Sequence, residues 1–119
     1  MGMTTATVRL RKYRQSQSFI EEEFLVDSGA AFTVVPATAL ARIGVEPAGE
    51  RTFQLANGAK ITRQVGEAYF EYAGQAGTSK VIFGQAGDSK LLGALTLETL
   101  ELVLDPLKRE LKPLPMLLM

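Results

Sequence analysis

Cysteine, histidine and tryptophan are all absent from this sequence, and the first two absences narrow its chemistry. Without cysteine there are no disulfides and no thiolate nucleophile, whatever the compartment. Without histidine there is no Ser-His or Cys-His nucleophile pair, and the commonest ligand of catalytic zinc is missing. A hydrolase made from this chain has to work with carboxylates, lysine or hydroxyls, and neither a metal nor a cofactor is expected. An excess of either charge is also lacking, with 13 basic and 13 acidic residues. Balanced charge leaves no broad electrostatic footprint for nucleic acid or an anionic membrane. No apolar run approaches the roughly 18 residues of a membrane span, and no apolar N-terminal segment precedes a cleavage signal. The expectation is a soluble cytoplasmic protein.

What is present is ordinary globular composition, 46 % hydrophobic and 22 % charged over 119 residues. That length suits one domain with a real core, expected to occupy residues 5–113 of a single domain spanning 1–119. Val8 and Leu10 alternate with Arg9 and Arg11, the period of a strand with one wet face. Arg9, Arg11, Lys12 and Arg14 form a local cationic cluster that suggests a polyanion contact, but the cluster reads more simply as a solvated strand face and turn. Phe19 to Val26 reads as a second strand that enters the core as it proceeds. Its Glu21, Glu22 and Glu23 alternate faces and cannot converge on one cation.

Phe24-Leu25-Val26 then runs directly into Asp27-Ser28-Gly29-Ala30, so a buried strand delivers a carboxylate into a polar turn. This is costly unless the carboxylate is hydrogen-bonded or opens on a wet cleft. Taken alone, the tripeptide is also what an Asx turn closed by glycine looks like. Phe32 to Val35 is short and β-prone, and Pro36 is placed to open a helix carrying Leu40 and Ile43, with Gly44 as its C′ residue. Asn57-Gly58 between two extended segments predicts a hairpin with a type I′ turn. Glu67 to Tyr72 and Lys80 to Phe83 form a further pair around a turn at Gly74 to Gly77. Leu91-Leu92-Gly93-Ala94 repeats the logic of the opening motif and leads to a short helix bearing Leu97 and Leu100. Leu102 to Leu104 is expected as a final core strand, Asp105-Pro106 as a turn and Glu110 to Pro113 as a partner segment. The apolar end, Met116 to Met119, is expected to be frayed or covered by a partner chain.

In that order of elements the chain resembles the retropepsin-like aspartic proteases, single-lobed relatives of the retroviral proteases and pepsins. The resemblance rests on Asp27-Ser28-Gly29-Ala30 with its apolar lead-in, on Leu91-Leu92-Gly93, and on the hairpin between them. It implies a mostly β, closed, partly barrel-like fold with a flap hairpin and one or two short helices. It also implies an aspartic endopeptidase in which two carboxylates share one proton. The chain has three aspartates, and neither Asp88 nor Asp105 lies in an Asp-Ser/Thr-Gly setting, so one chain supplies half a site. The family is built as a symmetric homodimer. By resemblance Asp27 of each subunit forms the dyad, Ser28 braces the paired turns and Gly29 orients the carboxylate. Leu55, Ala56, Asn57, Gly58 and Ala59 form the flap over an extended polypeptide, with Leu25 and Ala30 as pocket walls. Two positions depart from the retroviral pattern. Ala31 and Ala94 stand where a charged brace is usual, which leaves a second reading, a non-catalytic peptide-binding or dimerisation module on the same fold.

Overall fold

The alternation of Thr5–Arg11 becomes strand β1, which buries Ala6, Val8 and Leu10 and leaves Thr5 and Thr7 exposed. These coordinates are a computed structural model, which describes residues 3–115; the Met116 to Met119 segment expected to fray or meet a partner lies outside them. Strand β2 (Ile20–Val26) runs antiparallel to β1, from Thr5 opposite Leu25 to Leu10 opposite Ile20. Its Phe24 and Val26 point inward while Glu21 and Glu23 face solvent. As their alternation requires, the three glutamates diverge. Glu21 pairs with Arg9, Glu22 with Lys90 and Arg42, and Glu23 accepts from Thr5.

The other strands of the main sheet are β3 (Thr33–Pro36), β4 (Gly49–Gln54), β5 (Lys60–Tyr72), β6 (Gln75–Gly84) and β7 (Leu91–Leu92). β7 is wedged between β2 and β3, parallel to the first and antiparallel to the second. β3 continues into β6, β6 into β5, and β5 returns to β1, so six strands close a ring and β4 extends from β5 beyond it. Closure removes most unpaired edges. Leu10, Phe24, Val35, Phe70, Val81 and Leu92 fill the interior. This is the retropepsin-like, mostly β fold that the sequence implied.

Two short helices complete the core. In α1 (Ala37–Arg42) Leu40 is fully buried, and the helix ends as its glycine predicts. Gly44 takes φ +80°, its N–H bonds the Ala41 carbonyl, and the Val45 N–H reaches back to Leu40. That is a Schellman closure with buried Leu40 and Val45 as its apolar pair. Pro36 ends β3 and caps α1 rather than occupying the first helical turn. α2 (Ala94–Thr99) buries Thr96 and Leu97.

Three local expectations need correction. The type I′ geometry falls at Ala73-Gly74, where φ is +50° and +84° between the paired Tyr72 and Gln75. At Asn57-Gly58 only the glycine is left-handed, at φ +88°. There the Gly58 N–H bonds the Leu55 carbonyl and the Leu55 N–H bonds Ala59, a type I turn followed by a glycine bulge. The Asn57 side chain accepts the Ala59 N–H, which satisfies asparagine without a positive φ. Second, the strand leaving the Asn57-Gly58 turn and the Glu67 to Tyr72 segment are one 13-residue strand, β5. Gly66 is there for space, since a β-carbon would stand 3.1 Å from the Phe83 ring and 3.2 Å from the Glu46 carbonyl. Third, β8 (Leu102–Asp105) is outside the ring and, among the described residues, pairs only with β9 (Glu110–Pro113). Leu102 is buried, whereas Val103 and Leu104 are half-buried.

Candidate active site

β2 ends because Asp27 replaces the ladder with a turn. The Asp27 N–H still donates to the Leu92 carbonyl of β7 at 3.0 Å, the last sheet contact of the strand. Its carboxylate Oδ1 then accepts the Gly29 N–H at 3.0 Å, and the Ala30 N–H bonds the Asp27 carbonyl at 3.1 Å. The tripeptide is therefore an Asx turn, as local chemistry suggests, and Gly29 is the residue whose amide orients the carboxylate. The far side of the loop is held by the same segment that holds its start. The Ala94 N–H donates to the Ala30 carbonyl at 2.7 Å and the Leu95 N–H to the Ala31 carbonyl at 3.1 Å. Ser28 and Ala31 are exposed, and Ala30 is half-buried.

Asp27 opens on a cavity of about 320 Å³ shared with Thr4, Leu25, Leu104, Asp105 and Arg109. Leu25 precedes Asp27 by two strand positions, and alternation puts both on this side. The sequence reads Asp105 as a turn residue, yet the fold carries it into the same cavity. It is fully occupied there. Its Oδ1 accepts the Leu107 and Lys108 amides at 2.9 and 3.1 Å, and Oδ2 meets Lys112 at 3.4 Å. The Lys108 and Leu107 amides, helped by Lys112, hold its pKa below the ordinary carboxylate value against the opposing effect of burial. A carboxylate held ionised in this way is a poor partner for sharing a proton.

Asp88 is also engaged. Arg63 of β5 grips it with two hydrogen bonds of 2.8 and 3.0 Å, and the Gln85 N–H adds a third at 2.8 Å. The Arg63 bond lowers its pKa despite partial burial, and raises that of Arg63. The pair ties the β4–β5 hairpin strand to the loop that leads into β7.

Leu55 to Ala59 form the exposed tip of the β4–β5 hairpin, with Leu55 42 % exposed. None of these five lines a cavity of about 360 Å³ beneath the hairpin base, where Phe32, Arg51, Phe53, Val65 and Ile82 converge. Phe32 meets Phe53 edge-on at 5.9 Å, and the Arg51 guanidinium lies 5.6 Å from the Phe32 ring. Sequence reasoning missed these residues. The available signal was alternation, because Arg51 and Phe53 share one face of the strand entering the predicted hairpin. The cationic cluster near the N-terminus is engaged elsewhere. Arg9 and Arg11 pair with Glu21 and Glu71 and flank the Phe19 ring at 4.0 and 5.1 Å.

A family model described as aspartyl protease matches residues 17–94, more than half of the chain and inclusive of both Asp27-Ser28-Gly29 and Leu91-Leu92-Gly93. The chain belongs to the aspartyl protease family. No curated protein matches the sequence. Among solved structures, this aspartyl protease family member is similar to the retroviral protease-like domain of Ddi1 from Leishmania major, at 20 % identity and a TM-score of 0.54. The match covers 92 % of this chain and 88 % of that one. At that identity the likeness concerns the fold, and it extends beyond the residues of the family match to nearly the whole chain. No helix among the described residues is long and apolar enough to cross a membrane.

Proposed function

We propose that the protein is an aspartic endopeptidase whose acid/base dyad consists of Asp27 from each of two identical subunits. One observation carries this reading. Of three aspartates, Asp88 is held by Arg63 and Asp105 by two amides and Lys112, while Asp27 alone stands in the Asp-Ser-Gly turn matched by the family. A second carboxylate able to share a proton has to come from another copy. In such a pair the ionised member takes a proton from water as its oxygen attacks the scissile carbonyl carbon, and the neutral member hydrogen-bonds the carbonyl oxygen. Collapse of the tetrahedral species re-forms the carbonyl and breaks the C–N bond as the leaving nitrogen takes the proton that the first carboxylate had received from water, which restores one ionised and one neutral member. Ser28 would brace the two turns across the axis, while Gly29 holds each carboxylate in line.

Leu55, Ala56, Asn57, Gly58 and Ala59 serve as the flap in this reading, with Leu25 and Ala30 as pocket walls. The substrate is an extended polypeptide held by main-chain hydrogen bonds. Asp27→Asn tests the assignment. It is expected to melt and sediment as wild type does, while cleavage of an unfolded polypeptide falls by at least about 10³-fold, the loss typical of a catalytic group. Undiminished cleavage by the variant sinks the proposal. Peptide binding with no turnover by the wild type at any pH assigns the chain instead to the non-catalytic module.

A further inference from the structure

Among the described residues Thr33, Ser79 and Thr96 are the buried polar side chains, and all three belong to one network. Thr96 Oγ1 lies 2.5 Å from Thr33 Oγ1 and 2.9 Å from Ser79 Oγ, and Thr33 Oγ1 also accepts the Gly93 N–H at 2.9 Å. The Gly93 amide donates to the Thr33 hydroxyl, and in each of the two hydroxyl–hydroxyl bonds either oxygen can be the donor. Four elements meet in it: β3, β6, α2 and the β7–α2 junction.

That junction is what holds the Asp27 loop. Leu92, before Gly93, receives the Asp27 amide, and Ala94 and Leu95, after it, donate to the carbonyls of Ala30 and Ala31. The loop from Asp27 to Ala31 is thus suspended by three backbone bonds from residues 92–95. Those residues are in turn fixed to the core through Gly93 and the hydroxyls. Apolar packing resists compression but leaves rotation and sliding loosely specified; directional bonds in a dry interior specify both. Val at position 96 would fill the space without supplying that direction.

We infer that Thr96, acting with Thr33 and Ser79, is a positioning residue for the Asp27 carboxylate. The network sets the height and tilt of the β7–α2 junction, and through it the orientation of Asp27 toward its dyad partner. This rests on the protease reading above. It concerns residues that touch neither substrate nor the reacting atoms, and displacements of about 1 Å at such a distance can cost roughly 100-fold in rate.

The test compares Thr96→Val, which keeps the volume, with Thr96→Ser, which keeps the hydroxyl, in steady-state cleavage and in amide hydrogen exchange of the full chain. Thr96→Val is expected to lower kcat at least about 10-fold with KM changed less than about 2-fold, the split expected when binding is spared. Thr96→Ser is expected to recover kcat to within about 3-fold of wild type by the same reasoning. Exchange at the Asp27, Gly93, Ala94 and Leu95 amides should quicken in the valine variant while the β5–β6 ladder stays protected. Equal kcat in valine and wild type, or unchanged exchange at those four amides, overturns the inference. If Thr96→Val does not fold, Ser79→Ala removes only the outer link, and the same two readouts decide. If the wild type shows no cleavage, the protease reading fails by itself, and the exchange comparison still decides whether the network holds the loop.

Discussion

Gly93→Ala is the substitution for which the structure makes the sharpest demand. The φ of −93° at Gly93 is open to any residue, so conformational freedom is not why glycine stands there. Space is the reason. A β-carbon would lie 2.5 Å from the Phe32 carbonyl oxygen, 2.6 Å from its carbon and 3.0 Å from the Ala30 carbonyl oxygen. All three are backbone atoms, so no side-chain rotation relieves the clash. The β7–α2 junction has to retreat from β3, straining the Gly93 to Thr33 and Ala94 to Ala30 bonds together. Overpacking of this kind costs about 1 to 3 kcal/mol, and two weakened bonds in a buried setting add about 1 kcal/mol each. A total of about 3 to 5 kcal/mol corresponds to a fall in Tm of roughly 10 to 20 °C for a chain of this size. Gly77→Ala is the control. Its β-carbon would also meet an atom at 2.5 Å, but that atom is the Thr99 γ-methyl and not backbone, so a χ1 rotation relieves it at the expense of the Thr99 hydroxyl bond to the Leu95 carbonyl. The gain from replacing a strand glycine, about 0.5 to 1 kcal/mol, offsets much of the adjustment, so Tm should move by only a few degrees. Thermal melts of both variants check this. A Gly93→Ala protein melting within about 3 °C of wild type, or a Gly77→Ala protein equally damaged, refutes the spatial argument.

The other predictions concern charge, a turn and the dyad. Asp88 has a folded pKa below its ordinary value of 3.8, set first by the Arg63 hydrogen bond. Its contribution is therefore present above the unfolded pKa and lost as pH falls through the still lower folded pKa. The stability gap between wild type and Asp88→Asn should be full near neutral pH and narrow only below about pH 3.8; a gap independent of pH across melts contradicts the pairing. Gly44→Ala keeps ordinary contacts, with Lys12 Cδ at 3.6 Å, but forces alanine to φ +80°. It should cost about 1 to 2 kcal/mol in chemical denaturation with an unchanged m-value, and no loss would mean that α1 ends differently. A cleavage profile measured against pH should be bell-shaped and vanish with Asp27→Asn, because the dyad works with one proton.

The absence of a charged brace at Ala31 and Ala94 has a structural counterpart. Ala31 contributes its carbonyl to the Leu95 amide and Ala94 its amide to the Ala30 carbonyl, so both act through the backbone. The charged groups near Asp27 come instead from the β8–β9 turn, where Asp105 and Arg109 wall the same cavity. The Thr4 hydroxyl bonds the Arg109 carbonyl at 2.8 Å, fastening that turn to the chain entering β1. If two copies associate, the fraction paired rises with protein concentration and activity follows it.

By itself the sequence determined whatever depends on neighbours along the chain. The Asx geometry of Asp27-Ser28-Gly29, the glycine closure of α1, the inward faces of β1 and β2 and the existence of the 49–72 hairpin all follow from short-range sterics and alternation. The absence of histidine and cysteine pointed to carboxylates, and the Asp-Ser-Gly and Leu-Leu-Gly segments to the family. Tertiary structure decided what depends on approach between distant segments. It carried Asp105 into the Asp27 cavity and withdrew it from chemistry by surrounding it with amides. It turned Asn57-Gly58 into a bulged type I turn, and it placed the type I′ turn at Ala73-Gly74, where ring closure fixes the register of β5 and β6. Gly66 and Gly93 likewise answer to Phe83 and Phe32, neither of them a sequence neighbour, and Thr33, Ser79 and Thr96 become a network only when four elements meet. Such contacts leave no periodic trace in the chain, because the energy that selects them arises only after the ring has closed.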